Sequence, residues 1–351
     1  MMDKNMRVMT ESPLNAETPV EKLRTWITTN SAFFKRNQGL FPKEPVDLAA
    51  WSLSVEGLVN QPLHLTFEDI LELPKVEIAN TLECSGNGRS LLKKKASGNP
   101  WTIGGVGNAL WGGVLLKALL DRAGLKTEAK HVCFEGFDVP KGKAQIKFVR
   151  SIPVEKALHS TLLAYEMNGE PLPLQHGFPM RALALGWTGA NCVKWLNKIT
   201  LLKDPANGFY MDRVYRIFQK GEDPSAGEVV TKINIKSIIT QPISNQRMPI
   251  GVIPIRGAAY AGEESIEQVE VSTDNGRAWN QATLIGLKAP FAWRQWEYLW
   301  EAKEEGTFTI MSRAISGSGA RQPQSATWNA LGYGNNGIDE HAVTIHIAST
   351  A

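Results

Sequence analysis

Three cysteines, six histidines and a net charge of +3 are few reactive or charged signals for a chain of 351 residues. Each shortage excludes something. The cysteines, Cys84, Cys133 and Cys192, are far apart and include no C-x-x-C, so a zinc ribbon and a c-type haem attachment site are excluded. An odd number of cysteines also disfavours a pure disulfide framework, and Cys133 and Cys192 read on their own as small buried hydrophobes. The weak net charge gives no argument for nucleic acid, and the longest basic block, Lys93-Lys94-Lys95, reads as a solvated loop. No apolar run approaches the roughly 18 residues of a membrane helix. The polar stretch Met1–Glu21 has no signal-peptide core and no twin arginine, which makes the chain as given cytoplasmic. A targeting segment removed beforehand would place it in the periplasm instead.

What is present is a globular composition, 43% hydrophobic and 21% charged, at a length that favours two domains. Residues 1–30 read as a poorly ordered lead. Trp51, Leu53 and Val55 alternate with polar neighbours as in a half-buried strand. Thr66 caps a short helix that carries Asp69 in its first turn and stops at Pro74. A second helix is expected over Val114–Leu120, closed by Gly124, with a strand over His131–Phe137 and a helix from Ser151-Ile152-Pro153 to Leu158. Mixed elements without a regular βαβ rhythm point to an α+β domain over 31–235. Beyond it helical periods vanish. Val269 and Val271 alternate into the turn Asp274-Asn275-Gly276, and Phe308, Ile310, Val343, Ile345 and Ile347 read as further strands. Residues 236–351 are therefore expected to form an all-β sandwich of immunoglobulin type.

Two regions could carry chemistry. In Thr81-Leu82-Glu83-Cys84-Ser85-Gly86-Asn87-Gly88-Arg89 a strand ends on a cysteine, followed by small turn residues and a cation, a setting that suits a thiolate. In Ala164–Arg181 a Gly- and Pro-rich segment presents His176 and Arg181, and Gly189-Ala190-Asn191-Cys192-Val193-Lys194-Trp195 adds Lys194. Guanidinium, ammonium and imidazole beside small residues suit a phosphate or another oxyanion, although composition alone allows a surface loop with scattered charges.

The cysteine loop resembles the molybdenum-ligating loop of the sulfite oxidase family. The run Ala164–Arg181, with Val193-Lys194-Trp195 after it, resembles that family's segment for the pyranopterin phosphate. The resemblance covers roughly 31–348 in patches. It implies a molybdopterin-binding domain followed by an immunoglobulin-like dimerisation domain, hence a homodimer. Cys84 would ligate molybdenum, a soft thiolate joining a metal already held by dithiolene sulfur. Phe34-Lys35-Arg36-Asn37-Gln38 resembles the family's Phe-x-Arg-Asn-His, which places Phe34, Lys35, Arg36, Asn37 and Gln38 at the cofactor, with Gln38 in place of the usual histidine. Asp138, His176, Arg181, Cys192, Val193 and Lys194 would line the pterin. Arg36, Arg89 and Arg294 would bind the anionic substrate, Trp101 would wall its pocket, and Tyr215 would hydrogen-bond the reacting oxygen.

The activity implied is oxidation of sulfite to sulfate by oxygen-atom transfer, with electrons passed singly to an external acceptor such as a cytochrome c. The six histidines fall in no haem motif, so no haem is expected in this chain. Alternatives are a sulfane dehydrogenase-like subunit acting on protein-bound sulfur, to which Leu82–Asn87 looks closer, the molybdenum module of nitrate reductase, and a non-catalytic binding protein.

Overall fold

The computed structural model describes residues 2–42 and 45–348. Two five-stranded sheets, a small pair of strands (216–217 with 228–229) and a few short helices build the first domain. One sheet runs in the order 170–171, 161–167, 106–115, 75–83, with Arg181–Ala184 paired to Thr161–Met167. The other runs 63–65, 53–57, 196–202, 131–136, 149–153 and is antiparallel except where Leu53–Gly57 meets Leu196–Leu202. Leu53, Val55, Val114, Phe134 and Ile199 fill the space between them together with Leu116, Leu119 and Leu120 of the helix Leu116–Ala123. Among the described residues no helix is long and apolar enough to cross a membrane.

The second domain is the expected sandwich. Its sheets run 236–241, 251–260, 294–302, 283–285 and 247–248, 343–347, 306–316, 266–272, 280–281. Alternation sends Ile253 and Ile255 of one sheet against Val269, Val271, Ile310 and Ile345 of the other, around Trp296.

Some local expectations shift. The helix Phe67–Leu71 has its full capping box, with Thr66 and Asp69 bonded reciprocally. Val114 and Leu115 end a long strand, so the second helix begins at Leu116. Ser151–Pro153 also belongs to a strand, and its helix starts only at Val154. Proline at the end of an edge strand supplies the fixed φ from which a helix can start.

The lead is not loose. Arg7–Glu11 and Leu14–Glu17 pair as a hairpin, and Ala16, Leu23 and Thr28 are fully buried. Its polarity was misleading because those polar groups bond inward. Asn15 Oδ1 accepts from the Asn37 N–H at 2.9 Å and from Arg36 at 3.1 Å, while Glu17 accepts from Thr102.

The two domains share a polar seam. Lys236 Nζ lies 2.6 Å from Glu83 Oε1, with both groups buried, and the Tyr260 hydroxyl donates to the same carboxylate at 2.9 Å. Thr81 and Trp293 bond across the same boundary, through Thr81 Oγ1 at 2.8 Å.

Candidate active site

Strand Lys75–Glu83 pairs along its whole length with Val106–Leu115, and this delivers Cys84 to the edge of the first sheet. There the chain turns. The Asn87 N–H returns to Cys84 O at 2.8 Å, and Cys84 N–H is held by Gly105 O at 2.8 Å. The Asn87 side chain locks the turn from both sides, donating to Glu83 Oε1 and accepting from Gly105 N–H, each at 2.9 Å. The thiol thus stands on a rigid corner. Burial raises its pKa, and the nearest charges opposing that rise are Arg36 and Arg89.

Cys84 opens onto a partly enclosed cavity. Phe34, Arg36, Asn37, Gln38, Asp138, His176, Arg181, Cys192, Lys194 and Tyr215 all line it, so the structure brings together residues from widely separated segments. Its charge is lopsided. Arg36, Arg181 and Lys194, with the imidazole of His176 beside them, face one acid among the described lining residues, Asp138. Burial pushes the Lys194 ammonium far down, helped by Arg181, and lowers the Arg181 guanidinium to about 10. His176 is held well below its ordinary value by burial and by the cations around it. Asp138 is raised by burial despite Lys194 nearby. These groups bond to neutral acceptors: Lys194 to Gln175 O at 2.9 Å and to Asn37 Oδ1, Arg181 to His176 O at 2.8 Å. Arg181 Nε and Gln175 Oε1 are buried without a partner among the described residues. Buried donors and cations that outnumber the nearby acid fit an anionic ligand.

Tyr215 closes one wall. It has φ +57°, a left-handed backbone that bulky residues seldom adopt. Its hydroxyl accepts from Gln38 Nε2 at 2.6 Å, and its ring stacks on Tyr333 with centroids 5.4 Å apart. Tyr333 comes from the second domain, on a loop tied to the cysteine turn by Gly334 N–H to Ser85 O at 2.9 Å and by Asn335 Nδ2 to Gly88 O at 2.7 Å. Sequence reasoning missed it. The one cue was a tyrosine flanked by glycines in Leu331-Gly332-Tyr333-Gly334.

Several expected residues stand elsewhere. Arg294 begins the strand Arg294–Ala302 opposite Ala259, and its charge acts on Glu267. Strand alternation sets Arg294 on the face of Trp296, a residue of the sandwich core, whereas Trp293 is the residue that reaches the first domain. Arg294 is thus no part of the pocket. Trp101 is fully buried behind Phe34, edge-on at 6.2 Å, and supports the wall without forming it. Arg89 is one layer back, its guanidinium held by Leu331 O at 2.7 Å and Asn99 O at 2.8 Å and lying 5.4 Å from the Tyr333 ring. Lys35 points away from the cavity into the N-terminal segment, bonding Ser31 O at 3.0 Å and Phe33 O at 2.9 Å. Val193 is core, with its carbonyl paired to Ala182 N–H.

The cavity therefore offers donors suited to an anionic group on the Lys194–Arg181 side and one soft sulfur donor on the Cys84 side. Among the described residues no three His, Cys, Asp or Glu side chains cluster as an all-protein metal site, so a metal at Cys84 would need non-protein ligands.

Comparison with known proteins agrees with this geometry. Residues 39–210 match the oxidoreductase molybdopterin binding domain, and residues 227–347 match the Mo-co oxidoreductase dimerisation domain. The chain is 34% identical over 349 residues to sulfite oxidase of Gallus gallus, across 93% of its own length and 75% of that protein. The chain belongs to the sulfite oxidase family of molybdopterin oxidoreductases. It is also 34% identical to the mitochondrial sulfite oxidase of Rattus norvegicus, of which it spans 64%, and 31% identical to an NADH nitrate reductase of Phaseolus vulgaris, of which it spans 41%. In structure it is similar to the sulfane dehydrogenase SoxCD of Paracoccus pantotrophus, with a TM-score of 0.84, 28% identity, and coverage of 99% of this chain and 90% of that one. As a family member it is a molybdenum-cofactor oxidoreductase of sulfur chemistry whose second domain is a dimerisation domain.

Proposed function

We propose that the protein oxidises sulfite to sulfate and passes two electrons, one at a time, to an external acceptor, working as a homodimer. The observation that carries this reading is the meeting of Cys84, Arg36 and Tyr215 in one cationic cavity. Lys194, Arg181, His176 and Asp138 would hold the pterin, and Cys84 would complete the metal's ligands. When bound, the molybdenum–pterin group supplies two-electron oxygen-atom-transfer chemistry.

The chain's own residues prepare the substrate. Arg36 presents a half-buried guanidinium, held by Asn15 and by its neighbour's carbonyl, to a small oxyanion beside Cys84. The Gln38 amide occupies a lone pair of the Tyr215 hydroxyl, which leaves the phenolic proton free to be donated toward that oxyanion. Phe34, backed by Trp101, and Phe148 keep bulk water from this end. Overall, sulfite and water give sulfate, two protons and two electrons. Residues 227–347, matched by the dimerisation family, favour the homodimer.

One observation favours a second reading, oxidation of sulfane sulfur. The second domain contributes an aromatic ring, Tyr333, stacked behind Tyr215, and Arg294 is absent from the cavity lining. A wall with fewer cations suits a less charged sulfur group, and the likeness to SoxCD points the same way. The deciding experiment mixes the molybdenum-loaded enzyme with sulfite, with thiosulfate and with a protein persulfide, while its reduced form is mixed with nitrate. Rapid bleaching of the oxidised centre by sulfite supports the first reading. Bleaching by the persulfide alone supports the second, and reoxidation by nitrate without either would overturn both.

A further inference from the structure

Arg150 is a buried cation that no motif singled out. It sits in the strand Val149–Pro153, opposite Phe134, and is 0% exposed. Its N–H groups go to neutral acceptors: Tyr210 O, and Asn191 Oδ1 at 3.0 Å. Its Nε has no partner among the described residues. The guanidinium carbon lies 5.3 Å from the centre of the Tyr215 ring, on which Tyr333 is stacked, and Arg89 lies 5.4 Å from the Tyr333 ring. Two guanidinium groups thus flank a pair of phenol rings whose front member lines the cavity.

This arrangement is costly as it stands. A buried cation surrounded only by neutral acceptors loses more in desolvation than those hydrogen bonds return. Burial draws Arg150 down to about 10, which still leaves it charged near neutral pH. The cost is offset when an anion lies in front of the ring, because a phenol ring screens charge far less than water does. Asn191 also couples Arg150 to the cavity floor, since Gly189 and Ala190, the residues before it, are lining residues.

We infer that Arg150 is a positioning residue for the anionic substrate: from behind Tyr215 it fixes the phenol ring and adds positive potential at the place where the oxyanion binds, without touching it. The inference rests on the proposed reading of the cavity as an oxyanion site.

Two variants of the molybdenum-loaded enzyme test it. Arg150→Gln keeps hydrogen-bonding capacity and removes the charge, whereas Arg150→Lys keeps the charge. The first should raise KM for sulfite and the inhibition constant of sulfate together, each about tenfold, with kcat changed less than about threefold. The second should restore both to within about threefold of wild type. A readout that needs no turnover is the rise of Tm with added sulfate, which Arg150→Gln should lose and Arg150→Lys should keep. If Arg150→Gln does not fold, Asn191→Ser, which removes the acceptor orienting the guanidinium, should raise KM about threefold, and an unchanged KM there overturns the inference. An Arg150→Gln enzyme with wild-type KM and a wild-type sulfate response also overturns it, as does an Arg150→Lys enzyme as impaired as Arg150→Gln. A wild-type enzyme with neither sulfite turnover nor a sulfate response overturns the oxyanion reading itself, and this inference with it.

Discussion

The side-chain amide of Gln38 donates to the hydroxyl of Tyr215 at 2.6 Å, joining the N-terminal part of the chain to the wall of the cavity. The family resemblance leads one to expect a histidine at that position. An amide makes the same hydrogen bond but does not change charge between pH 5 and 8, so the orientation of Tyr215 is insulated from pH on this side.

Removing that donor should be felt in the chemistry. Gln38→Leu leaves a buried hydroxyl without its partner, a loss of about 1–3 kcal/mol, so kcat/KM should fall roughly tenfold while molybdenum content stays unchanged. Gln38→His should keep most of the rate at high pH and introduce a new ionisation near pH 6–7 in the pH–rate profile. Steady-state kinetics on matched, metal-assayed preparations check both.

The slot that holds Arg89 is made by glycine. A Cβ on Gly98 would come within 2.7 Å of Arg89 Nη1, and Gly98 has φ +118°, a conformation L side chains rarely adopt. Gly98→Ala should therefore displace the guanidinium from Leu331 O and Asn99 O, loosen Tyr333 above it, and cost about 1–3 kcal/mol in stability. Thermal unfolding should record the loss, and kcat/KM should fall with it.

The seam between the domains contains a buried ion pair. Lys236 and Glu83 lie 2.6 Å apart with side chains 1% and 6% exposed, and Tyr260 shares the carboxylate. Lys236→Met leaves that carboxylate buried and unpaired, at about 3–5 kcal/mol. A fall in Tm of roughly 10 °C is expected, with partial recovery when Glu83→Gln is added.

Acid should weaken the protein through His341. This imidazole is buried, Nδ1 lies 2.8 Å from Gly337 O, and burial together with Lys236 lowers its pKa to about 3. Its folded value is below its unfolded value of about 6.5, so the unfolded chain binds the proton first and stability is lost as pH falls through that window. Between pH 7 and pH 5 the loss should be about 2 kcal/mol, read from denaturant unfolding at each pH, and His341→Gln should flatten that slope.

Much of this was legible in the sequence because some motifs encode local geometry. A strand, a cysteine and Ser-Gly-Asn-Gly specify a thiol on a tight turn, and Cys84 is found on one. His176, Arg181 and Lys194 were legible as cations beside small residues, and they do converge on one cavity. What stayed hidden depends on long-range packing. Arg150 is one charge in an otherwise ordinary strand, and only the fold sets it behind Tyr215. Tyr333 reaches the site from the second domain. Arg294 failed for the converse reason: a matching local string, Trp-Arg-Gln-Trp, lies in a strand whose alternation turns the arginine toward the sandwich. The lead was misread because its polar residues bond to buried partners instead of water.

The central claim is that Cys84 and the cations around it hold a molybdenum–pterin cofactor. The most direct test is molybdenum and pyranopterin content per chain, measured on wild type and on Cys84→Ser made in a host that loads a control enzyme. About one of each per wild-type chain, with the pterin retained in Cys84→Ser and sulfite turnover lost, is the predicted result. A folded wild-type protein that carries neither, or a Cys84→Ser variant that turns over sulfite normally, would contradict it.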